Sequence, residues 1–340
     1  MKILSLCGNY NSLKDGIGRY GKLLNDELKK NEEIYEIFVA TGYTDNKTNK
    51  QLKYSLEMSK AIIEAVRIIK NEKINVLLIE YPFMEHNPII IFLFIYLKII
   101  CKKRRINIVL SLHEYLRAKK LRQILIKILA VLSNKIIVSD VATKKKLFLY
   151  NKNIFIRDIP CNIEVCGEIS KNITKEFVYF GLVNNSKAFF PMIEAWKEFN
   201  KEKIYKLNII TSSSTETNRW SEFGIYPFKN LNEKEIAMHM EKANFCILPI
   251  LPSVSYNNST FKTACMFGCI SIGKFDNDFK KLNFIVDLNN YNKEEFVRSF
   301  EQSISFNDNE LEDFFFKSRD FGKDFTLKNT ANHTLEIIKQ

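Results

Sequence analysis

Several features are scarce in this chain of 340 residues, and each absence excludes something. Its seven cysteines are scattered and contain no Cys-x-x-Cys. That usage fits reduced thiols in a cytosolic compartment and speaks against a disulfide framework or a zinc site. The longest nearly apolar run, residues 88–101, is interrupted by Lys98 and is too short to span a bilayer. It is expected to be a buried helix, the alternative being an interfacial helix flanked by the basic residues 102–105. Met1-Lys2 leads straight into strand-like sequence, so no signal peptide is expected. Neither a short fixed-period repeat nor a low-complexity tract interrupts the chain.

What is present is unevenly charged. The net charge is +12, and residues 1–165 hold 29 Lys and Arg against 16 Asp and Glu, while residues 166–340 hold 22 against 23. A basic half can face nucleic acid, an anionic membrane or phosphorylated substrates. A lysine-rich surface from biased base composition explains the same excess equally well.

Hydrophobic periodicity divides the chain into alternating strands and helices. In the first half, strands are expected at 3–7, 36–40, 75–80, 106–112, 134–139 and 154–159, and helices at 20–28, 56–70, 88–101, 116–132 and 141–149. Pattern and charge reset near residues 163–175, which read as a linker. A second alternation follows, with strands at 176–182, 206–211, 245–249, 270–273 and 283–288. Its helices are expected at 189–200, 231–243, 259–267, 293–304, 309–321 and 327–339. Asn232 with Glu235 three residues on predicts a capping box, and Gly268 predicts a helix C-cap. The fold class is therefore α/β, with two facing Rossmann-like doubly wound domains and a cleft between them. The expected domains are 1–165 and 172–321, with residues 322–340 forming a helix that packs back toward the first.

The organising stretch is residues 2–30, KILSLCGNYNSLKDGIGRYGKLLNDELKK. Strand, glycine loop and helix in this order bring backbone N–H groups to a phosphate at a helix N-terminus. Gly16-Ile17-Gly18 lacks the third glycine of the dinucleotide fingerprint. A tight turn and a phosphate site explain these glycines equally well. His113 stands at the C-terminal end of strand 106–112, where open parallel sheets bind ligands.

Five motifs in order resemble glycosyltransferase family 4, of the GT-B type, over nearly the full length. Asp15-Gly16-Ile17-Gly18-Arg19-Tyr20 is similar to the family's loop before the first helix. Leu110-Ser111-Leu112-His113-Glu114 resembles its strand ending in histidine. Ile136-Ile137-Val138-Ser139-Asp140, with Ile159-Pro160-Cys161-Asn162-Ile163-Glu164 after it, resembles a third pair of segments, Asn162 standing where the family has glycine. Tyr179-Phe180-Gly181-Leu182-Val183 with Lys187 is similar to the diphosphate clamp. The segment from Ala243 to Gly268 resembles the donor-binding strand and helix.

The resemblance implies a retaining glycosyltransferase, without metal or cofactor, that uses a nucleotide-sugar co-substrate. It places the donor and its phosphates against Gly16, Ile17, Gly18, Lys187, Asn258, Ser259, Thr260 and Thr263, and makes His113 and Lys187 catalytic. Leu182 replaces the clamp's arginine, and Ser255 and Thr263 replace two glutamates spaced eight apart. The implied acceptor is a free or lipid-linked saccharide, as in capsule or O-antigen assembly. The implied location is the cytoplasm, at the inner membrane face, with no nucleic-acid partner. Two other readings stand beside it. A non-catalytic glycosyltransferase-like subunit would suit the missing arginine and glutamates. A sugar-nucleotide epimerase shares the layout, but His86, His113, His239 and His333 supply few histidines for it.

Overall fold

The computed structural model describes residues 1–8, 10, 16–41, 57–81, 89–113, 115–116, 118–161, 163, 165, 173–184, 187–213 and 220–340. The chain divides into two compact units, one of Met1–Asp158 with Leu327–Gln340 and the other of Ile159–Thr326.

The first unit alternates β1 (Lys2–Cys7), α1 (Gly16–Leu28), β2 (Glu36–Thr41), α2 (Glu57–Asn71), β3 (Val76–Tyr81), α3 (Ile89–Arg104), β4 (Asn107–Leu112), α4 (Lys120–Leu132), β5 (Lys135–Val138), α5 (Val141–Leu147) and β6 (Ile154–Ile156). The strands pair in parallel in the order β2-β1-β3-β4-β5-β6. Each central strand is buried on both faces, which is why it reads as a continuous apolar run. Leu4, Leu6, Leu77, Ile79 and Leu110 meet α2, α3 and α4 through Ile62, Leu97 and Leu129. Ile3, Val76, Leu78 and Val109 point to the other face, where they meet Leu24 and Leu28 of α1 and Leu335 and Ile338 of the last helix, α11 (Leu327–Lys339). Lys135 reinforces this docking by donating to Ile337 O at 2.8 Å and Ile338 O at 3.1 Å. These are carbonyls of the kind a helix end leaves without an internal partner.

The second unit runs β7 (Phe177–Phe180), α6 (Phe189–Phe199), β8 (Leu207–Thr211), β9 (Ile225–Lys229), α7 (Glu233–Lys242), β10 (Phe245–Leu248), α8 (Ser259–Met266), β11 (Ile270–Gly273), β12 (Ile285–Asp287), α9 (Lys293–Ser305) and α10 (Asp308–Gly322). Its sheet is again parallel, in the order β12-β11-β10-β7-β8-β9. Phe177 and Tyr179 face α6 and α9 through Phe189, Trp196 and Phe300. Val178 faces the opposite layer, built from Met240 of α7 and Phe261 and Cys265 of α8.

The capping box is present: Asn232 Oδ1 accepts from Glu235 N at 3.0 Å and Glu235 Oε2 accepts from Asn232 N at 2.8 Å. Gly268 follows α8 at φ 68°, with its N–H donating to Cys265 O at 2.8 Å.

Three expectations shift. α4 begins at Lys120 rather than residue 116. Strand β9 has no counterpart in the sequence reading, because Pro227 in it argues against a strand; it lies at the sheet edge, where that proline is tolerated. The units divide at 158/159 and 326/327, whereas the sequence reading has a linker at 163–175; the last helix spans Leu327–Lys339 as expected. Cys161 N donates to Phe325 O at 2.8 Å, and Ile163 enters the core beside α8, so both segments stay with the second unit.

Candidate functional site

In each sheet, neighbouring strands send their connections to opposite sides at one point: between β1 and β3 in the first, between β7 and β10 in the second. Loops leave a crevice outside the carboxyl ends of the strands at such a point. Each unit carries a polar cluster there.

In the first unit, Gly16, Ile17 and Gly18 form the opening turn of α1. Asp15 before them lies outside the described residues, as do Glu114, Arg117, Asn162 and Glu164. His113 follows β4, its N–H donating to Tyr81 O at 3.1 Å and so extending the β3–β4 ladder. Its Nε2 is 2.7 Å from Glu80 Oε2. Glu80, the penultimate residue of β3, is fully buried. Burial pushes its carboxyl up, but the His113 hydrogen bond, the charges of His113 and Arg157 and the Ser111 hydroxyl together hold it below the ordinary range. Arg157, also buried, donates from Nη2 to Ser111 Oγ at 3.0 Å and from Nη1 to Thr334 Oγ1 of α11 at 2.9 Å. Tyr20 closes the group, its ring edge-on to His113 at 4.9 Å and 5.6 Å from the Arg157 guanidinium. Sequence reasoning found His113 and missed Glu80, Arg157 and Thr334. A charge ending an otherwise apolar strand was the available signal for Glu80.

In the second unit, Tyr179 on β7 donates its hydroxyl to Leu182 O at 2.7 Å. Lys187 forms an isolated antiparallel bridge with Ile250 just past β10, and Ala188 N donates to Pro249 O at 2.7 Å. This strap lays the Lys187 ammonium over the Tyr179 ring, 5.2 Å from its centroid, with Nζ donating to the phenol oxygen at 3.2 Å. Among the described residues no carboxylate lies within ion-pair distance of it. Desolvation lowers its pKa well below the ordinary lysine range, to about 8.

β10 leads on to α8, whose N-cap Asn258 accepts from Phe261 N at 2.7 Å. Ser259 and Thr260, half-buried, open the helix. The positive end of its dipole and its unpaired N–H groups favour an anion. Thr263 is fully buried and its hydroxyl donates to Ser259 O at 2.9 Å, the usual fate of a threonine one turn into a helix. Asn258 is likewise committed through Oδ1 to the cap. Lys262, unremarked in the sequence, is 1% exposed, donates to Ile159 O at 3.0 Å and lies 4.3 Å from the Phe325 ring centroid. It anchors α8 to the segments where the chain enters and leaves this unit. Among the described residues, no group of three or more His, Cys, Asp or Glu side chains is placed to hold a metal ion.

No protein-family model and no curated sequence matches the chain. Solved structures do. Anabaena HepE in complex with UDP matches with a TM-score of 0.68 at 10% identity, covering 100% of each chain. A glycosyltransferase from Rickettsia africae matches with a TM-score of 0.65 at 14% identity, covering 99% of this chain and 97% of that one. WaaG, a glycosyltransferase involved in lipopolysaccharide biosynthesis, matches with a TM-score of 0.63 at 10% identity, covering 99% of both. The chain has the fold of GT-B glycosyltransferases, with a six-stranded parallel sheet flanked by helices in each domain.

Proposed function

We propose that this protein is a glycosyltransferase that takes its sugar from a nucleoside diphosphate sugar, a UDP-sugar first among them, since HepE was solved with UDP. The observation that carries the reading is Lys187: an ammonium held in a desolvated place, with no carboxylate among the described residues to balance it, at the carboxyl end of the central strands. A diphosphate leaving group supplies the missing negative charge. Preorganised positive groups of this kind act where charge grows in the transition state. The α8 N-terminus with Ser259 and Thr260 would take the second share of that charge. His113 would hold a sugar hydroxyl. The reading needs no metal and implies retention of anomeric configuration, with the leaving phosphate accepting the acceptor's proton.

The acceptor would be a lipid-linked saccharide of surface-glycan assembly at the inner membrane face. Support comes from the first unit's outer surface. Phe92 of α3 is 73% exposed, Leu121 of α4 is 83% exposed and Leu149, just past α5, is 90% exposed. Lys102, Lys103 and Arg104 lie in the last turn of α3, and Lys119 and Lys120 stand at the start of α4. Exposed apolar side chains and clustered cations on the same unit suit an anionic lipid surface. No helix of the described residues is long and apolar enough to cross a membrane.

The deciding experiment is thermal unfolding with UDP, GDP, ADP, CMP and their sugars, on the wild type, Lys187→Ala and His113→Ala. A ligand at roughly a hundred times its dissociation constant adds about 2.7 kcal/mol. One nucleotide family is expected to raise the melting temperature, the shift falling away in Lys187→Ala. No shift with any nucleotide would overturn the reading in favour of a non-catalytic subunit.

A further inference from the structure

Among the strand ends of the first unit lies a charge cluster whose members Glu80 and Arg157 are buried. Glu80 has no exposed surface, so it is out of reach of any ligand and of any direct part in chemistry. It nonetheless lies within hydrogen-bond distance of His113, 2.7 Å from Nε2. Its second carboxylate oxygen and Arg157 Nε have no hydrogen-bond partner among the described residues. Such a cluster is a poor way to stabilise a fold. Buried charges with incomplete partners are often replaced by apolar side chains at no loss of stability. Its geometry is better explained by what it does to the one member that reaches the surface.

A carboxylate can only accept hydrogen bonds. With Glu80 held ionised, the nitrogen facing it must carry the proton. Arg157 supplies a positive charge for Glu80 through its proximity and through Ser111, whose hydroxyl meets both side chains. Tyr20 packs edge-on against the ring at 4.9 Å and limits its rotation. Thr334 holds the other arm of Arg157, which ties this arrangement to the docking of α11.

We propose that Glu80 and Arg157 are positioning residues that fix a proton on His113 Nε2 and so set the ring's orientation, leaving Nδ1 as the nitrogen turned to a hydroxyl of the bound sugar. The sugar as occupant rests on the transferase reading above; the tautomer does not. Glu80 sets which nitrogen is protonated, and Arg157 sets where Glu80 sits.

The test is two-armed. Long-range 15N–1H NMR of the free protein, with the His113 signal assigned by its loss in His113→Gln, reads the tautomer without any nucleotide. A single Nε2–H form is expected in the wild type. In Glu80→Gln the amide can present either its oxygen or its NH2, so mixed tautomers are expected. In the second arm, Glu80→Gln is expected to lower kcat about 10- to 100-fold, by analogy with the outer partners of metal-bound histidines, with KM for the nucleotide sugar little changed. A wild-type Nδ1–H tautomer overturns the proposal even if the variant fails to fold. So does a Glu80→Gln protein that keeps one tautomer and full kcat while merely melting lower, since that is what a structural role would give. A wild type that transfers no sugar yet shows only the Nε2–H form supports the positioning and overturns the transferase reading alone.

Discussion

Gly181 lies directly beneath the Lys187 ammonium. Its backbone has φ 148°, and a Cβ built on it would collide with Nζ. The glycine that follows β7 thus does two things: it turns the chain where an L side chain is strained, and it leaves the space that the ammonium fills.

Gly181→Ala should therefore affect stability and the ligand together. Strain at such a φ is worth about 1–3 kcal/mol, seen as a lower denaturation midpoint. The lysine end is flexible and can yield, but only by leaving its place over Tyr179. UDP binding by calorimetry is expected to weaken by about tenfold or more, roughly 1.4 kcal/mol. A variant that is destabilised but binds UDP as the wild type does would show that Lys187 does not act from this position.

The depressed pKa of Lys187 predicts a pH dependence with a definite sign. The folded value is about 8 against 10.5 for the free side chain. Between the two the unfolded chain holds a proton that the folded one has shed, so stability rises with pH across this interval. The rise is at most about 3 kcal/mol, and Lys187→Met should abolish it while raising the melting temperature at pH 7. Diphosphate binding favours the charged lysine, so affinity should be full below pH 8 and decline above it. Calorimetry in buffers of different ionisation enthalpy would register proton uptake on binding near pH 8.5.

On α8 the accessible and buried hydroxyls should separate. Ser259→Ala with Thr260→Val is expected to lower UDP affinity about tenfold, the loss of one or two hydrogen bonds to a charged group. Thr263→Val removes the buried hydroxyl that donates to Ser259 O, and should lower stability by about 1 kcal/mol or more with affinity within about twofold. Equal losses from both variants would place Thr263 in the donor site after all.

The first unit's outer surface makes the membrane prediction. Sedimentation with vesicles rich in phosphatidylglycerol should capture the wild type at low salt and release it as salt rises. Leu121→Asp and the pair Lys119→Glu, Lys120→Glu should each reduce capture severalfold, with about 1 kcal/mol per removed cation near the surface. Failure of the wild type to sediment at low salt would sink the membrane-bound acceptor.

Local physics was enough for the sequence by itself to determine the alternation of strands and helices, the α/β class and the pairs of elements that make two similar sheets. Apolar runs of strand length, helical spacing such as Leu24 with Leu28, the Asn232–Glu235 cap and the Gly268 stop are each set by neighbours a few residues away. His113 and Lys187 were legible because each follows a readable strand in a familiar order of motifs. What only the tertiary structure decided is which side chains complete those two. Glu80, Arg157 and Thr334 come from the ends of two strands and from the last helix, the latter two 177 residues apart. Their meeting depends on how the strands order across the sheet and where α11 docks, which no spacing in the chain records. Burial made the same distinction on α8. Ser259, Thr260 and Thr263 look alike in sequence, and only the packing of the helix against the second sheet turns Thr263 inward and leaves the first two at the accessible end.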